Sequence, residues 1–224
     1  MSKLIVIDRG TQHVRILEGD ARGNRVVVRK LTTLAVPEGH EGESEGVRSL
    51  IVQALEGAAG SGAKVVGLIG RSQAVLRDVR LPDAPADEMP AMVQMQAIRE
   101  LSFPVEQAAI DFEVVGPPDD EGQRRIILAA LQQDVIDRVR HALSSTQLEL
   151  SRIGLRPYAT WRAYRQVAVV PAGPVLVVSL AGESLELTVA QGETVLFSRA
   201  TLLRGLVDSK AETFDPAPAL LGEV

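Results

Sequence analysis

The stretch from Ala74 to Gly116 constrains the fold more than any other, because its apolar spacing changes period twice. Val75, Val79 and Leu81 share one face of an extended run whose polar residues are Arg77 and Asp78, and Pro82 closes it. A helix is expected next. Asp87 is placed at its N-cap, Glu88 in its first turn, and Pro90 is tolerated because no intrahelical N–H is needed that early. Its apolar side is expected to carry Val93, Ala97, Ile98 and Leu101, with Gln94 intruding. Met89, Met92 and Met95 lie three apart; they read as filler of irregular core space rather than as an adaptable surface for a partner peptide. Phe103-Pro104 stops the helix. Ile110, Phe112 and Val114 then alternate with Asp111 and Glu113, which restores the strand period.

Before this stretch, Leu4 to Ile7 reads as a buried strand closed by Asp8-Arg9-Gly10-Thr11-Gln12, and Val14, Ile16 and Leu17 begin a second. A turn over residues 19–24 leads to a third strand from Val26 towards Val36. The acidic, Gly-rich residues 39–46 form a loop. A helix follows over residues 47–58 on Val47, Leu50, Ile51, Ala54 and Leu55, and Lys64 to Ile69 is another strand. Beyond Gly116, Arg125 to Leu131 is a strand and Asp134 to Leu143 an amphipathic helix carrying Val135, Ile136, Val139 and Leu143 on one face. Leu148 to Leu155 returns as a strand, counted here with the 74–155 unit, and Pro157 starts a helix containing Trp161 and Tyr164. Val175 to Val178, followed by Leu185, Leu187 and Val189, partly repeats the opening hairpin, and a third strand runs through Val195 and Phe197. From Asp208 onward periodicity is lost and a loose tail is expected.

Composition removes several function classes. Aromatic residues are 3% of the chain and the net charge is −5, so neither base stacking nor phosphate neutralisation finds material, and no nucleic-acid partner is expected. Cysteine is absent, which rules out disulfides and thiolate metal sites. His13, His40 and His141 show no ligand spacing, so no metal site is expected. No apolar run approaches the length of a membrane span or of a signal-peptide core.

The order Arg80-Leu81-Pro82, an acidic helix start, then A-I-R-E-L-S-F-P-V-E-Q-A-A-I-D-F-E-V-V-G resembles the inserted subdomain of the PilM family. These are actin-like cytoplasmic proteins of type IV pilus assembly, and FtsA is a more distant relative. The matching positions are Phe103, Pro104, Glu106, Asp111 and Phe112. The resemblance implies an α+β, α/β fold: an actin-like, ribonuclease H-like sheet subdomain over residues 1–73, an inserted small α+β subdomain over 74–155, a return helix and the start of a second actin-like half over 156–207, and a tail over 208–224. On this resemblance the second half is expected to be truncated. The duplicated hairpin openings agree with such a fold.

Actin-like ATPases hold phosphates between two strand-turn-strand loops. In the first loop Asp8, Gly10 and Thr11 match the family's Asp-x-Gly-Ser/Thr, with Gln12 beside them and Arg15 in the place of a usual basic residue. An ordinary β-turn accounts for Asp8 and Gly10 equally well. The second loop departs from the pattern: Ser179-Leu180-Ala181 replaces Asp-x-Gly, and only Gly182 offers flexibility one position later. No catalytic residue and no bound cofactor are therefore expected, ATP and magnesium being reserved for a full-length relative. The expected function is a scaffold of the pilus, or of a related secretion apparatus. It would be cytoplasmic, bind the N-terminal peptide of a PilN-like membrane protein, and reach the inner membrane through that partner without inserting. The alternative is an active ATPase or phosphotransferase of the same superfold. A cell-division filament protein resembling FtsA is disfavoured, since no amphipathic C-terminal helix is visible.

Overall fold

The computed structural model describes residues 2–10, 12–23, 25–37, 45–55, 62–181 and 184–203. β1 (Ser2–Arg9), β2 (His13–Arg22) and β3 (Arg25–Ala35) form an antiparallel meander, and α1 (Glu45–Leu55) leads to β4 (Lys64–Ile69), which pairs parallel to β1. Parallel pairing requires a crossover, and α1 supplies it. The helix sets Val47, Ile51 and Leu55 on Ile5, Ile7, Val14 and Ile16, the i, i+4 and alternating patterns meeting in one core.

A short 3₁₀ turn (Arg71–Gln73) then starts an insert. β5 (Val75–Pro82), α2 (Met89–Glu100), β6 (Ala108–Val115) and β7 (Gln123–Gln132) build a three-stranded sheet in the order β5-β7-β6. Its core joins Val79, Leu81, Ile126, Leu128 and Ala130 to Met89, Val93 and Ala97 of α2.

Three expectations need correction here. Ile98 is 64% exposed. The 100° step puts it beside Ala97 but past the edge of the stripe that Met89, Val93 and Ala97 define. Asp87 does not cap the helix; it lies in a turn, and the cap position falls on Glu88, whose backbone is helical and whose side chain makes no capping bond. Among the methionines, Met89 is buried and Met92 packs against the same cluster, but Met95 is 67% exposed.

α3 (Gln133–Leu143) follows β7 directly, and β8 (Leu150–Leu155) returns to pair parallel with β4. The first sheet is therefore five-stranded, β3-β2-β1-β4-β8. This corrects the placing of β8: it is the fifth strand of the first sheet, not a fourth strand of the insert's. Order along the chain could not distinguish these, because both sheets lay open to it. α4 (Arg156–Val167) crosses to the last sheet, a second antiparallel meander of β9 (Val175–Ala181), β10 (Ser184–Gln191) and β11 (Thr194–Leu202). Trp161 of α4 is buried against Ala190 and Val195. Gly192, at φ 59°, makes the tight β10–β11 turn that a side chain would strain.

Candidate functional site

The two meanders bring their hairpins to one buried ionic cluster. In the first hairpin Asp8 stands opposite Arg15. In the second, Ser179, which the internal repeat aligns with Asp8, stands opposite Glu186. The carboxylate missing from Ser179 is thus found across the ladder, on the neighbouring strand.

Between the two acids lies Arg156, the first residue of α4 and only 8% exposed. Its Nε and Nη2 donate to Asp8 Oδ1 at 3.0 and 2.7 Å, its Nη1 donates to Glu186 Oε1 at 2.8 Å, and Nη2 also reaches the Arg9 carbonyl at 3.4 Å. Glu186, 1% exposed, accepts a further bond at Oε1 from the Arg71 amide at 2.8 Å. Its Oε2 is buried without a hydrogen-bond partner among the described residues. Burial works against charge on Arg156, but Asp8 and Glu186 outweigh it and hold the guanidinium pKa above its ordinary value. The rigid fork of an arginine suits this bridging; a lysine has one nitrogen to offer two acids.

The backbone around the cluster is fitted to it. A Cβ on Gly70 would lie 2.9 Å from Arg156 Nη1 and 3.2 Å from Glu186 Oε1, so this position admits no side chain without displacing the bridge. Arg71 donates through Nε to the Ser198 carbonyl at 2.8 Å and through Nη1 to the Ala74 carbonyl, tying the start of the insert to β11. Burial, and then repulsion from Arg77, push its pKa down, with Glu186 opposing. The inner face of the second meander is correspondingly polar: Ser184, Glu186, Thr188 and Ser198 are all buried, and the Thr188 and Ser198 hydroxyls lie 3.2 Å apart.

Of the residues expected in the first loop, Asp8 enters the cluster and Arg15 touches it, its Nη1 3.5 Å from Asp8 Oδ2. Gly10 donates its N–H to the His13 carbonyl at 2.8 Å, and the Gln12 carbonyl accepts from the Val36 N–H at 2.8 Å, so the backbone of both helps to close the hairpin. Thr11 and Gly182 lie outside the described residues. Arg156, Glu186, Arg71 and Gly70 were not anticipated. The available signal was Glu186 itself, one charge in the otherwise apolar and hydroxylic run Ser184 to Ala190, which calls for a buried counter-charge.

A parallel β1–β4–β8 core, a helical crossover and a second three-stranded meander define an actin-like fold, and solved structures agree. A PilM–PilN type IV pilus biogenesis complex superposes with a TM-score of 0.75 at 24% identity, over 90% of this chain and 62% of that one. The cytoplasmic domain of EpsL, an inner membrane component of the Vibrio cholerae type II secretion system, gives 0.57 at 14% identity, over 90% of this chain and 71% of that one. A Bacteroides thetaiotaomicron protein with an actin-like ATPase fold and unknown function gives 0.52 at 6% identity, over 99% and 74%. The family model for the type IV pilus assembly protein PilM matches residues 6–209, and the chain belongs to that family. It spans 62% of the length of the chain it matches in that complex.

An actin-like fold raises the question of magnesium and nucleotide at this cluster. Among the described residues, the donors nearest the cluster are already engaged within the protein. Phosphate oxygens would need N–H donors turned outward, whereas the Gly10 amide is consumed within its hairpin, and Asp8 Oδ1 is already held by the Arg156 cation, which would repel a metal ion.

Proposed function

We propose that this chain is a non-hydrolysing scaffold of the type IV pilus machinery, cytoplasmic and docked on the N-terminal peptide of a PilN-like membrane protein. Family membership supports the pilus assignment, and the structural match to a PilM–PilN complex supports the partner. Among the described residues no helix is long and apolar enough to cross a membrane, in keeping with attachment through another protein. The observation that carries the non-hydrolysing reading is the Arg156 bridge. A permanent cation already stands between the two acids, and it joins the hairpins that an ATPase would keep apart for its phosphates.

Titration calorimetry with ATP and magnesium tests this reading, alongside titration with the PilN-like N-terminal peptide. No heat with nucleotide and a saturable signal with peptide are expected. A micromolar Kd for ATP that disappears in Asp8→Ala overturns the scaffold reading in favour of an ATPase.

A further inference from the structure

The β2–β3 hairpin departs from the rest of the surface in two independent ways. Its charge is reversed: over His13–Ala35 five arginine and lysine residues stand against two acids, in a chain whose net charge is −5. β3 itself carries Arg25, Arg29 and Lys30 with no acidic residue. Its distal half is also aliphatic on both faces. Val26, Val27 and Val28 are consecutive, so they point alternately to opposite sides of the strand, yet they are 49%, 42% and 54% exposed, and Leu31 is 63% exposed. The α1 core reaches Leu34 and Val36 but none of these four.

A partner laid along the open edge of β3 would bind its backbone, and one laid on the sheet would cover a single face. Neither accounts for valines bare on both sides. A second copy met hairpin to hairpin would set like charge against like charge. A medium that surrounds the hairpin end, apolar within and anionic at its surface, satisfies both faces and the flanking arginines together.

We propose that the distal β2–β3 hairpin is a contact site for an anionic bilayer surface, with Val26, Val27 and Val28 at headgroup depth and Arg22, Arg25 and Arg29 on lipid phosphates. Arg29 already donates to Asp20 at 2.8 Å, so Arg22 and Arg25 at the tip carry most of the attraction. The contact is superficial and spans nothing. The negative remainder of the chain is repelled by the same surface, which fixes the hairpin as the part that faces it. This site is independent of the scaffold reading, since it needs neither the cluster nor a protein partner.

Co-sedimentation of the full chain with vesicles of 30% phosphatidylglycerol in phosphatidylcholine tests the site. Binding is expected at low salt, with loss on pure phosphatidylcholine and at high salt. The double reversal Arg22→Glu, Arg25→Glu should weaken it by at least about tenfold, each basic side chain near such a surface contributing a severalfold factor. Val27→Ser should weaken it less, by roughly two- to fivefold. All these positions are exposed, so the thermal unfolding of each variant should match wild type, which separates lost contact from lost fold. Equal binding to both vesicle types, or full binding by the double reversal, overturns the site. So does release from the vesicles by a soluble peptide alternating Glu and Val, which would mark the edge as a strand-docking site.

Discussion

The insert and the second meander are three-stranded antiparallel sheets of similar size, but they are finished in opposite ways. The insert covers one face with its own helix: α2 lays Val93 and Ala97 on Ile126 and Leu128, and the contact is apolar throughout. The second meander turns a polar face inward, where Glu186 meets Arg156 and Arg71, and leaves Leu176, Val178, Leu180 and Phe197 about half exposed outside. One sheet is held chiefly by burial, which is forgiving of direction; the other adds to its apolar contact with Trp161 a few directed ionic bonds, which are not. The second meander should therefore be the part that a single substitution can detach.

Arg156→Ala breaks the comparison most severely. It strands Asp8 and Glu186 without their counter-charge, and truncating one member of a buried pair costs about 3–5 kcal/mol. Hydrogen exchange should show β9 to β11 losing protection before β5 to β7 do; equal loss in both sheets would mean that the bridge is not what holds the second meander. Ile126→Ala reverses the experiment. It should cost about 2–5 kcal/mol by opening a cavity beneath α2, with the early loss of protection now in the insert. Gly70→Ala is smaller, about 1–3 kcal/mol, as the new methyl forces the guanidinium aside. A chemical-denaturation midpoint unchanged from wild type would show that the bridge has slack.

The mildest contrast is in two surface acids. Asp119, in the β6–β7 turn of the insert, is held below the usual carboxylate range chiefly by the Gln123 backbone N–H, with help from Glu121 and Arg80 against some desolvation. Glu193, in the β10–β11 turn, is lowered by Arg165 alone in the main. Both depressed carboxylates favour the folded state above the ordinary range and lose that contribution as pH falls through their folded values. Molar salt should return Glu193 towards its ordinary value in a carbon-detected NMR titration and leave Asp119 nearly unmoved, because a fixed N–H is not screened as a mobile guanidinium is.

What was legible in the sequence tracks how local each signal is. Alternation announced β5 and β6, a 3.6-residue stripe announced α3, and the parallel between Leu4 to Asp8 and Val175 to Ser179 announced two related hairpins. Ile98 was misplaced because a stripe's edge depends on what packs against it, which no helix carries in its own sequence. β8 was misassigned because a strand states its period but not its partner. The ionic cluster was out of reach for the same reason: Asp8, Gly70, Arg156 and Glu186 are scattered along the chain, and only the packing of the two meanders brings both acids to Arg156. Asp8 alone of that set was named beforehand, through its loop rather than its counter-ion.

The return of β8 to β4 bears on the order in which the molecule can be made. As the chain leaves the ribosome, β1 to β4 are complete while β4 still presents an unpaired edge, and the strand that closes it is separated by everything from Gly70 to Glu149. The insert, whose pairings are all internal, can condense during that interval without waiting for anything downstream. Arg156 emerges directly behind β8 and finds Asp8 already in place, but Glu186 comes last. The members of the cluster therefore emerge in the sequence acid, base, acid, and the bond that joins the two halves waits for β10.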